Sequence, residues 1–263
     1  MKSCLSGPGT IRAMKDENAA TPEKMLPFAR ALAKDVQAAL QSGLTPPVAP
    51  QTLLAAAQMS HEFYEQTWRY VQNLNVVSHA CAAGCAYCCY LTVEVSAPEV
   101  FLIADSLQKT RSESEFSEIK DRVGRTANAV AGLSPEARVQ AAVPCALLEN
   151  GQCSVYAVRP NGCRSWNSRD ANACAQVMAD GSGDLRPVQD QRPGGIESGV
   201  RAGFAAALNA AGLPEDDAHR CELNTALQIA LDDPNALQGW LDGVDTLAAT
   251  RAVVRYEGEV TPK

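Results

Sequence analysis

Several features that would assign a function directly are missing from this 263-residue sequence. No apolar run reaches the roughly 18–20 residues that a membrane-spanning helix needs, which excludes an integral membrane protein. The first nine residues contain no apolar segment that could serve as a secretory signal. The net charge of −7 argues against a protein that binds nucleic acid through its overall charge.

Familiar catalytic motifs are absent as well. The sequence has no glycine-rich phosphate loop, no His-Glu-x-x-His helix and no serine elbow. The negative charge is concentrated in residues 176–263, which carry seven basic and fourteen acidic side chains. This acidic C-terminal region is either a solvated helical surface or a docking face for a basic protein partner.

Cysteine, in contrast, is abundant. Eight of the ten cysteines fall between positions 81 and 174. Such a cluster forms a disulfide framework in small secreted domains, a soft-metal site in reducing compartments, or a set of inert or redox-sensing thiols. Because the chain is large, 46% apolar and without an export signal, we expect a cytoplasmic protein that binds metal. The predicted ligands are Cys81, Cys85, Cys88, Cys89, Cys145, Cys153, Cys163 and Cys174.

The first cysteine segment spans residues 81–89. Thiolates separated by two or three residues can turn toward one ion on a tight loop, and Gly84 allows the positive φ that such a loop often needs. The side chains of adjacent residues point in different directions, so Cys88 and Cys89 are not expected to share one tetrahedral ion. Either one of them packs as a small apolar residue, or they serve separate sites or different irons of one cluster.

The second segment contains a hairpin signal. Asn150-Gly151 between apolar runs predicts a type I′ turn in which Leu148 pairs with Cys153. Counting along that ladder places Cys145 and Cys153 on opposite faces. Cys145 therefore lies just off the ladder, or these two cysteines serve different sites.

Charged neighbours can tune such a site. Arg159, Arg164 and Arg169 lie close to Cys163 in sequence, and guanidinium groups stabilise an anionic thiolate centre and lower thiol pKa values. The alternative is that they are ordinary surface arginines paired with acidic residues. His79, two residues before Cys81, could complete a mixed site.

The remaining histidines and cysteines are not expected to bind metal. We interpret His61 and His219 as surface or core side chains on helices. Cys4 lies in a predicted tail, and Cys221 is predicted to pack on a helical face with Leu223.

Together these elements resemble the YkgJ-type cysteine-cluster (CxxCxxCC) family, described as zinc- or iron-chelating proteins. The matching residues lie within about 79–174 and include Pro144-Cys145, Arg159-Pro160-x-x-Cys163-Arg164 and Trp166. The resemblance implies zinc or an iron–sulfur cluster, with [4Fe–4S] among the options. Some flagellin lysine methylases are similar in cysteine pattern, which implies methyl transfer to protein lysine as an activity.

Two other functions fit parts of the sequence. Cys81-x-x-x-Cys85-x-Tyr87-Cys88 has the spacing of radical S-adenosylmethionine enzymes, although a helix precedes it and no series of strands follows. A non-catalytic alternative is a zinc-stabilised adaptor whose helical arms bind a protein through the acidic C-terminal region.

Elsewhere the hydrophobic periodicity is helical. We predict helices over 23–41, 52–74, 97–107, 114–130, 196–211, 214–231 and 234–247, short helices at Ser134 and Cys174, and a loop over 181–195. The 97–107 helix starts at Ser96, its predicted cap, with Pro98 in the first turn. The predicted fold is mainly α: a helical domain with a small cysteine-rich metal-binding core that contains one β-hairpin. The predicted organisation is a disordered tail (1–20), an N-terminal helical extension (21–75), the cysteine-cluster core with a helical insertion (76–178) and a C-terminal helical region (179–263).

Overall fold

The structure, a computed structural model, describes residues 21–74, 79–181 and 189–251. These ranges contain ten α-helices: α1 Pro22–Gln41, α2 Pro50–Gln72, α3 Ala97–Thr110, α4 Glu113–Val130, α5 Pro135–Ala141, α6 Asn161–Ser165, α7 Ala171–Asp180, α8 Gln191–Ala210, α9 Leu223–Asp232 and α10 Ala236–Leu241. The predicted mainly α fold is confirmed. No helix in these ranges combines the length and the apolar character that crossing a membrane requires.

Two small antiparallel sheets accompany the helices: β1 Glu94–Val95 with β4 Cys221–Glu222, and β2 Leu148–Glu149 with β3 Gln152–Cys153. The second sheet is the predicted hairpin, in which Leu148 pairs with Cys153. Its turn residues Asn150 and Gly151 have φ values of 51° and 77°, as a type I′ turn requires. The first sheet was not predicted, because two-residue strands are too short to show an alternating pattern.

Side-chain caps fix where several helices begin. In α3, Ser96 and Glu99 form a capping box in which the Ser96 backbone amide and hydroxyl donate to Glu99 Oε2 at 3.0 and 2.9 Å. Ser112 and Glu115 form an equivalent box at α4. The predicted start near Ser96 is confirmed, and the same carboxylate, Glu99, is thereby placed in the protein interior.

One continuous core joins these helices. Helix α1 packs along α8, α9 packs on α4 and α3, and α2 packs on α8 and α3. The α1–α8 contact is close because α8 presents glycines to α1: a Cβ added at Gly203 would lie 2.3 Å from the carbonyl oxygen of Ala33. Helix α8 also contacts α6, which carries Cys163, so the long helices brace the cysteine region.

The region after α8 departs from prediction. A single helix over 214–231 is wrong: a 3-10 turn at Asp217–His219 and strand β4 precede α9. Cys221 is fully buried in β4 and pairs with Val95, and Arg220 donates to the Glu94 carbonyl at 2.6 Å. These tertiary contacts outweigh the local helical periodicity.

Two helix ends differ as well. Helix α8 begins at Gln191, inside the predicted 181–195 loop, because the Asp190 side chain caps it by accepting from the Arg192 amide at 3.0 Å. Helix α10 ends at Leu241, before the predicted end at Leu247. The predicted tail, with Cys4, lies outside the described residues, and the domain boundaries stay predictions.

Candidate metal centre

Seven of the eight predicted ligands line one cavity of about 320 Å³. They come from the 81–89 segment, the chain just before the β2–β3 hairpin, the hairpin itself and α6, and they are Cys81, Cys85, Cys88, Cys89, Cys145, Cys153 and Cys163. Helix α2 contributes Tyr64 and Trp68 to the wall. The cavity is therefore assembled from segments that are far apart in sequence.

The 81–89 segment folds as predicted around a tight turn. Gly84 has a φ of 91°, and the Cys85 amide donates to the Ala82 carbonyl at 3.0 Å. A 3-10 helix at Tyr87–Tyr90 follows and carries both Cys88 and Cys89. Both cysteines line the cavity, although they are adjacent in sequence.

A backbone contact joins the two cysteine segments. The Cys145 amide donates to the Cys89 carbonyl at 2.7 Å, and the Cys145 carbonyl accepts from the Leu148 amide at 3.0 Å. Cys145 thus precedes the hairpin and lies off the ladder, which was one of the two predicted alternatives. Because it lies off the ladder, Cys145 reaches the same cavity as Cys153.

Four thiols form an inner group: Cys88, Cys145, Cys153 and Cys163. Burial raises the pKa of Cys163 well above its usual value, and thiolates at Cys145, Cys88 and Cys153 would raise it further. Burial also raises the pKa of Cys145 to about 12, partly opposed by the hydrogen bond from the Leu147 amide. In the metal-free protein this group is therefore neutral, and metal binding must displace its protons.

Three thiols form an outer group: Cys81, Cys85 and Cys174. Burial raises the pKa of Cys81, the Ser168 amide 3.2 Å from its sulfur opposes that rise, and thiolates at Cys85, Cys88 and Cys174 would add to it. Cys174, on the predicted short helix α7, lies in this group but does not line the cavity.

The charge of a Cys88 thiolate would act on thiols of both groups. Its hydrogen bond with Cys89, followed by burial, raises the pKa of Cys88 far above its usual value. Its charge would also affect Cys81, Cys153 and Cys163. The charge of Cys88 therefore links the pKa values of the outer thiol Cys81 and of the inner thiols Cys153 and Cys163.

The thiols surround the cavity rather than meeting at a point. Within 21–74, 79–181 and 189–251, no three Cys, His, Asp or Glu side chains are placed to hold a single metal ion. The cysteines in these ranges are all free thiols, so they do not form the disulfide framework that the sequence left open. The donor set itself, soft sulfur from many residues, suits zinc or an iron–sulfur cluster.

The three arginines predicted near the site differ in role. Arg164 donates to Glu65 at 2.5 Å and to the carbonyl of Arg159 at 2.9 Å, and it also lines the cavity and acts to lower the pKa of Cys153. Arg159 lies 3.8 Å above the Tyr156 ring, lines the cavity, and acts to lower the pKa values of Cys88 and Cys153. Arg169 is not part of the cavity wall.

A fourth arginine, Arg138 on α5, was missed by the sequence argument. Its side chain is 1% exposed, and its Nε, Nη1 and Nη2 atoms have no hydrogen-bond partner. The charges that act on it are those of Glu222 and a Cys145 thiolate, and burial lowers its pKa. In sequence Arg138 is an ordinary basic residue in the last turn of a helix, so no pattern could have identified it.

The histidines are engaged with carboxylates. His79 Nε2 lies 3.2 Å from Asp190 Oδ2, and its ring centroid is 4.9 Å from that of Trp68. Burial acts to raise the pKa of Asp190, but hydrogen bonds from His79 and Arg192 outweigh it and lower that pKa to about 2. His79 lines the cavity, yet in this structure its Nε2 faces Asp190 rather than the cysteines.

His61, His219 and Cys221 have no place in the site. His61 is a buried partner of Glu99, and His219 pairs with Asp216 near the surface. Cys221 is packed as predicted, but in β4 rather than on a helix.

Comparison with known protein families agrees with this geometry. Residues 80–179 match the CxxCxxCC family model. The family is described as a "Putative zinc- or iron-chelating domain", and all eight predicted ligands lie within the matched residues. The match supports metal binding in general terms. No curated protein and no solved structure matches the chain.

Proposed function

We propose that the CxxCxxCC domain holds an iron–sulfur cluster in the thiol-lined cavity. Seven thiols surround one cavity of about 320 Å³ without converging on a point, and this single observation supports a cluster over one zinc ion. Zinc needs four donors that all approach within about 2.3 Å of one centre. In a cluster each iron takes its own thiolate, so the donors stay apart.

The inner group is the proposed ligand set. Cys88, Cys145, Cys153 and Cys163 number four, as a [4Fe–4S] cluster requires, and thiolates at these positions would affect one another electrostatically. Cys81, Cys85 and Cys174 are proposed to serve separate irons at the outer side, because no three of these side chains are placed to hold one ion together. Cys89 is proposed to support Cys88 through their hydrogen bond.

Three guanidinium groups complement the negative charge of such a centre. Arg138 is buried without a hydrogen-bond partner and acts to lower the pKa of Cys145, whereas Arg159 and Arg164 line the cavity and act to lower the pKa of Cys153. Cations next to anionic thiolates stabilise the deprotonated ligands. When bound, an iron–sulfur cluster supplies electron-transfer chemistry or a Lewis-acidic iron.

Protein purified without oxygen tests the proposal. Iron, zinc and acid-labile sulfide are measured together with the visible absorption spectrum, for the unaltered protein and for Cys163→Ser. The expected result is iron with matching sulfide and a broad visible absorption, all reduced in Cys163→Ser. About one zinc per chain without visible absorption would replace the cluster with a structural zinc site and favour the adaptor function. Thiols without any metal would overturn the proposal.

The structure bears on one of the two catalytic alternatives. In the described residues the only sheets are two-stranded and antiparallel, so they contain none of the parallel barrel strands that the radical S-adenosylmethionine interpretation needs. Methyl transfer to protein lysine stays a prediction that follows from cysteine pattern alone. A cytoplasmic location is part of our proposal, because free thiols persist in reducing compartments.

A further inference from the structure

A second cavity, of about 330 Å³, borders the same helix α6 that carries Cys163. One wall is the face of α8 that contains Ala202, Ala205 and Ala206. The rest of the lining is mostly polar and includes Asn161 and Glu215. The cavity shares no lining residue with the thiol-lined cavity, so it needs an explanation of its own.

Two residues that line this cavity each have a buried acceptor atom without a hydrogen-bond partner. The atoms are Oε2 of Glu215, a residue 4% exposed, and Oδ1 of Asn161, a residue 5% exposed. Leaving such atoms unsatisfied costs about 1–3 kcal/mol each, and native structures contain few of them. The pair therefore points to a ligand that donates hydrogen bonds.

Both residues are held in place by their backbones. The Asn161 amide donates to Glu99 Oε1 at 2.9 Å. Asn209 on α8 binds Glu215 twice, accepting from its amide at 3.2 Å and donating to its carbonyl at 2.7 Å. The side-chain Nδ2 of Asn161 also donates to Ser60 Oγ at 3.4 Å, so both its backbone and its side chain are held.

The charges of the lining favour a cation. Four carboxylates line the cavity, against two guanidinium groups. Glu197 pairs with Arg201 at 3.4 Å, and Asp216 pairs with His219 at 2.6 Å. Glu215 is the buried carboxylate that keeps an unsatisfied oxygen. A hard metal ion would need about six oxygen ligands, and in the described ranges no three acidic, His or Cys side chains could hold one.

We propose that this cavity binds a primary alkylammonium group. Its N–H groups donate to Glu215 Oε2 and Asn161 Oδ1, and its alkyl chain lies against the alanine face of α8. A protein lysine side chain and a free aliphatic amine share this chemistry. The proposal does not depend on the metal centre.

The protonation of Glu215 makes the binding depend on pH. Burial raises its pKa to about 8; Arg220 and Arg251 oppose this rise, and Glu99 and Asp216 add to it. Arg201 and Glu197 also line the cavity and oppose each other as a pair. Because a cation favours the ionised carboxylate, the affinity should rise about tenfold between about pH 7 and pH 9.

Calorimetric titration of the purified full chain tests the site. The probes are n-butylammonium and Nα-acetyl-lysine amide, whose side-chain ammonium group is free. The controls are n-butanol and butyltrimethylammonium, which lack the ammonium N–H donors. We expect the two primary ammonium probes to bind and the controls to fail. If Nα-acetyl-lysine amide binds more tightly than n-butylammonium, the ligand is a protein lysine side chain. If it binds equally or more weakly, the ligand is a free amine.

Variants test whether binding depends on the Glu215 carboxylate or on the shape of the cavity alone. Glu215→Gln should weaken binding of the ammonium probes at least tenfold and remove its pH dependence, while Glu118→Gln, on the exposed surface of α4, should leave binding unchanged. Glu215→Gln keeps the shape of a protonated carboxyl, and thermal unfolding is measured to check that the variant folds. Equal binding of n-butanol, unchanged binding by Glu215→Gln, or no binding of either ammonium probe would overturn the proposal.

Discussion

The amide of Cys145 donates a 2.7 Å hydrogen bond to the carbonyl of Cys89, and this contact joins two distant cysteine segments. It brings the inner thiols to one cavity through backbone hydrogen bonds rather than through a metal. The scaffold also includes the β2–β3 hairpin, in which Leu148 pairs with Cys153. Loss of one thiol should therefore remove metal without dismantling the surrounding helices.

The first prediction concerns Cys88, which affects both thiol groups. Cys88→Ser should lower the metal content more than Cys85→Ser, because Cys88 acts on the inner thiol Cys163 as well as on the outer thiol Cys81. Cys163→Ser should lower both the metal content and the free energy of unfolding of the metal-loaded protein. Elemental analysis and urea denaturation measure the two quantities.

Cys221→Ala is the matched control for these variants. Cys221 is fully buried in β4 and is not part of the thiol-lined cavity, so the variant should keep its metal while losing about 1 kcal/mol of packing. Cys4→Ser should change neither property. Unchanged metal content in both Cys88→Ser and Cys163→Ser would contradict the site assignment.

The second prediction is that replacing Arg138 has opposite effects on the stability of the metal-free protein and on metal affinity. A buried guanidinium without partners destabilises the metal-free protein, so Arg138→Met should leave that state as stable or more stable, by up to about 4 kcal/mol. In the loaded protein the same change removes a cation beside Cys145, and metal affinity should fall about 10- to 100-fold.

Urea denaturation of the metal-free protein and competition with a chelator measure these two effects separately. Arg125→Met, at an exposed position of α4, is the control and should change neither. If Arg138→Met destabilises the metal-free protein and leaves metal affinity unchanged, Arg138 has a structural role only.

The third prediction uses two glycines of α8. A Cβ at Gly203 would clash with the Ala33 carbonyl and with Val36, so Gly203→Ala should destabilise the protein by about 1–3 kcal/mol. At Gly194 a Cβ meets nothing within 4 Å, and Gly194→Ala should stabilise the helix by up to about 1 kcal/mol. Thermal unfolding of both variants checks the difference, and equal effects would show that α1 and α8 do not pack this closely.

Local signals in the sequence predicted much of this structure. The Asn150-Gly151 turn, the positive φ of Gly84 and the helix start near Ser96 are properties of a few neighbouring residues, and all three are confirmed. The cysteine positions in the sequence likewise gave the set of proposed metal ligands, and that set stays a prediction. What they could not predict is which thiols face each other, because that depends on the contact between Cys145 and Cys89.

The features that were missed depend on distant partners. Strand β4 forms because Cys221 pairs with Val95, and local periodicity carries no information about such a partner. Arg138 and Glu215 look like ordinary charged residues until the fold buries them. Only the three-dimensional structure shows that Arg138 and Glu215 are buried with side-chain atoms that lack a hydrogen-bond partner.

The last prediction follows from the burial of Glu215. The pKa of its carboxyl is about 8 in the folded protein, against a usual value of 4.5. The folded state therefore binds a proton that the unfolded state releases between these two values, so this group lowers stability as pH rises from about 4.5 to about 8. Glu215→Gln cannot ionise and should escape this loss.

At about pH 5 the variant and the unaltered protein should have similar free energies of unfolding, and at about pH 8 the variant should be more stable by a few kcal/mol at most. Urea denaturation at the two pH values, with Glu118→Gln as the exposed control, measures the difference. A gap that is the same at both pH values would mean that Glu215 is ionised throughout, with its charge satisfied by Arg220 and Arg251. The calorimetric pH dependence of ammonium binding would then have to vanish as well, because both effects come from the same proton.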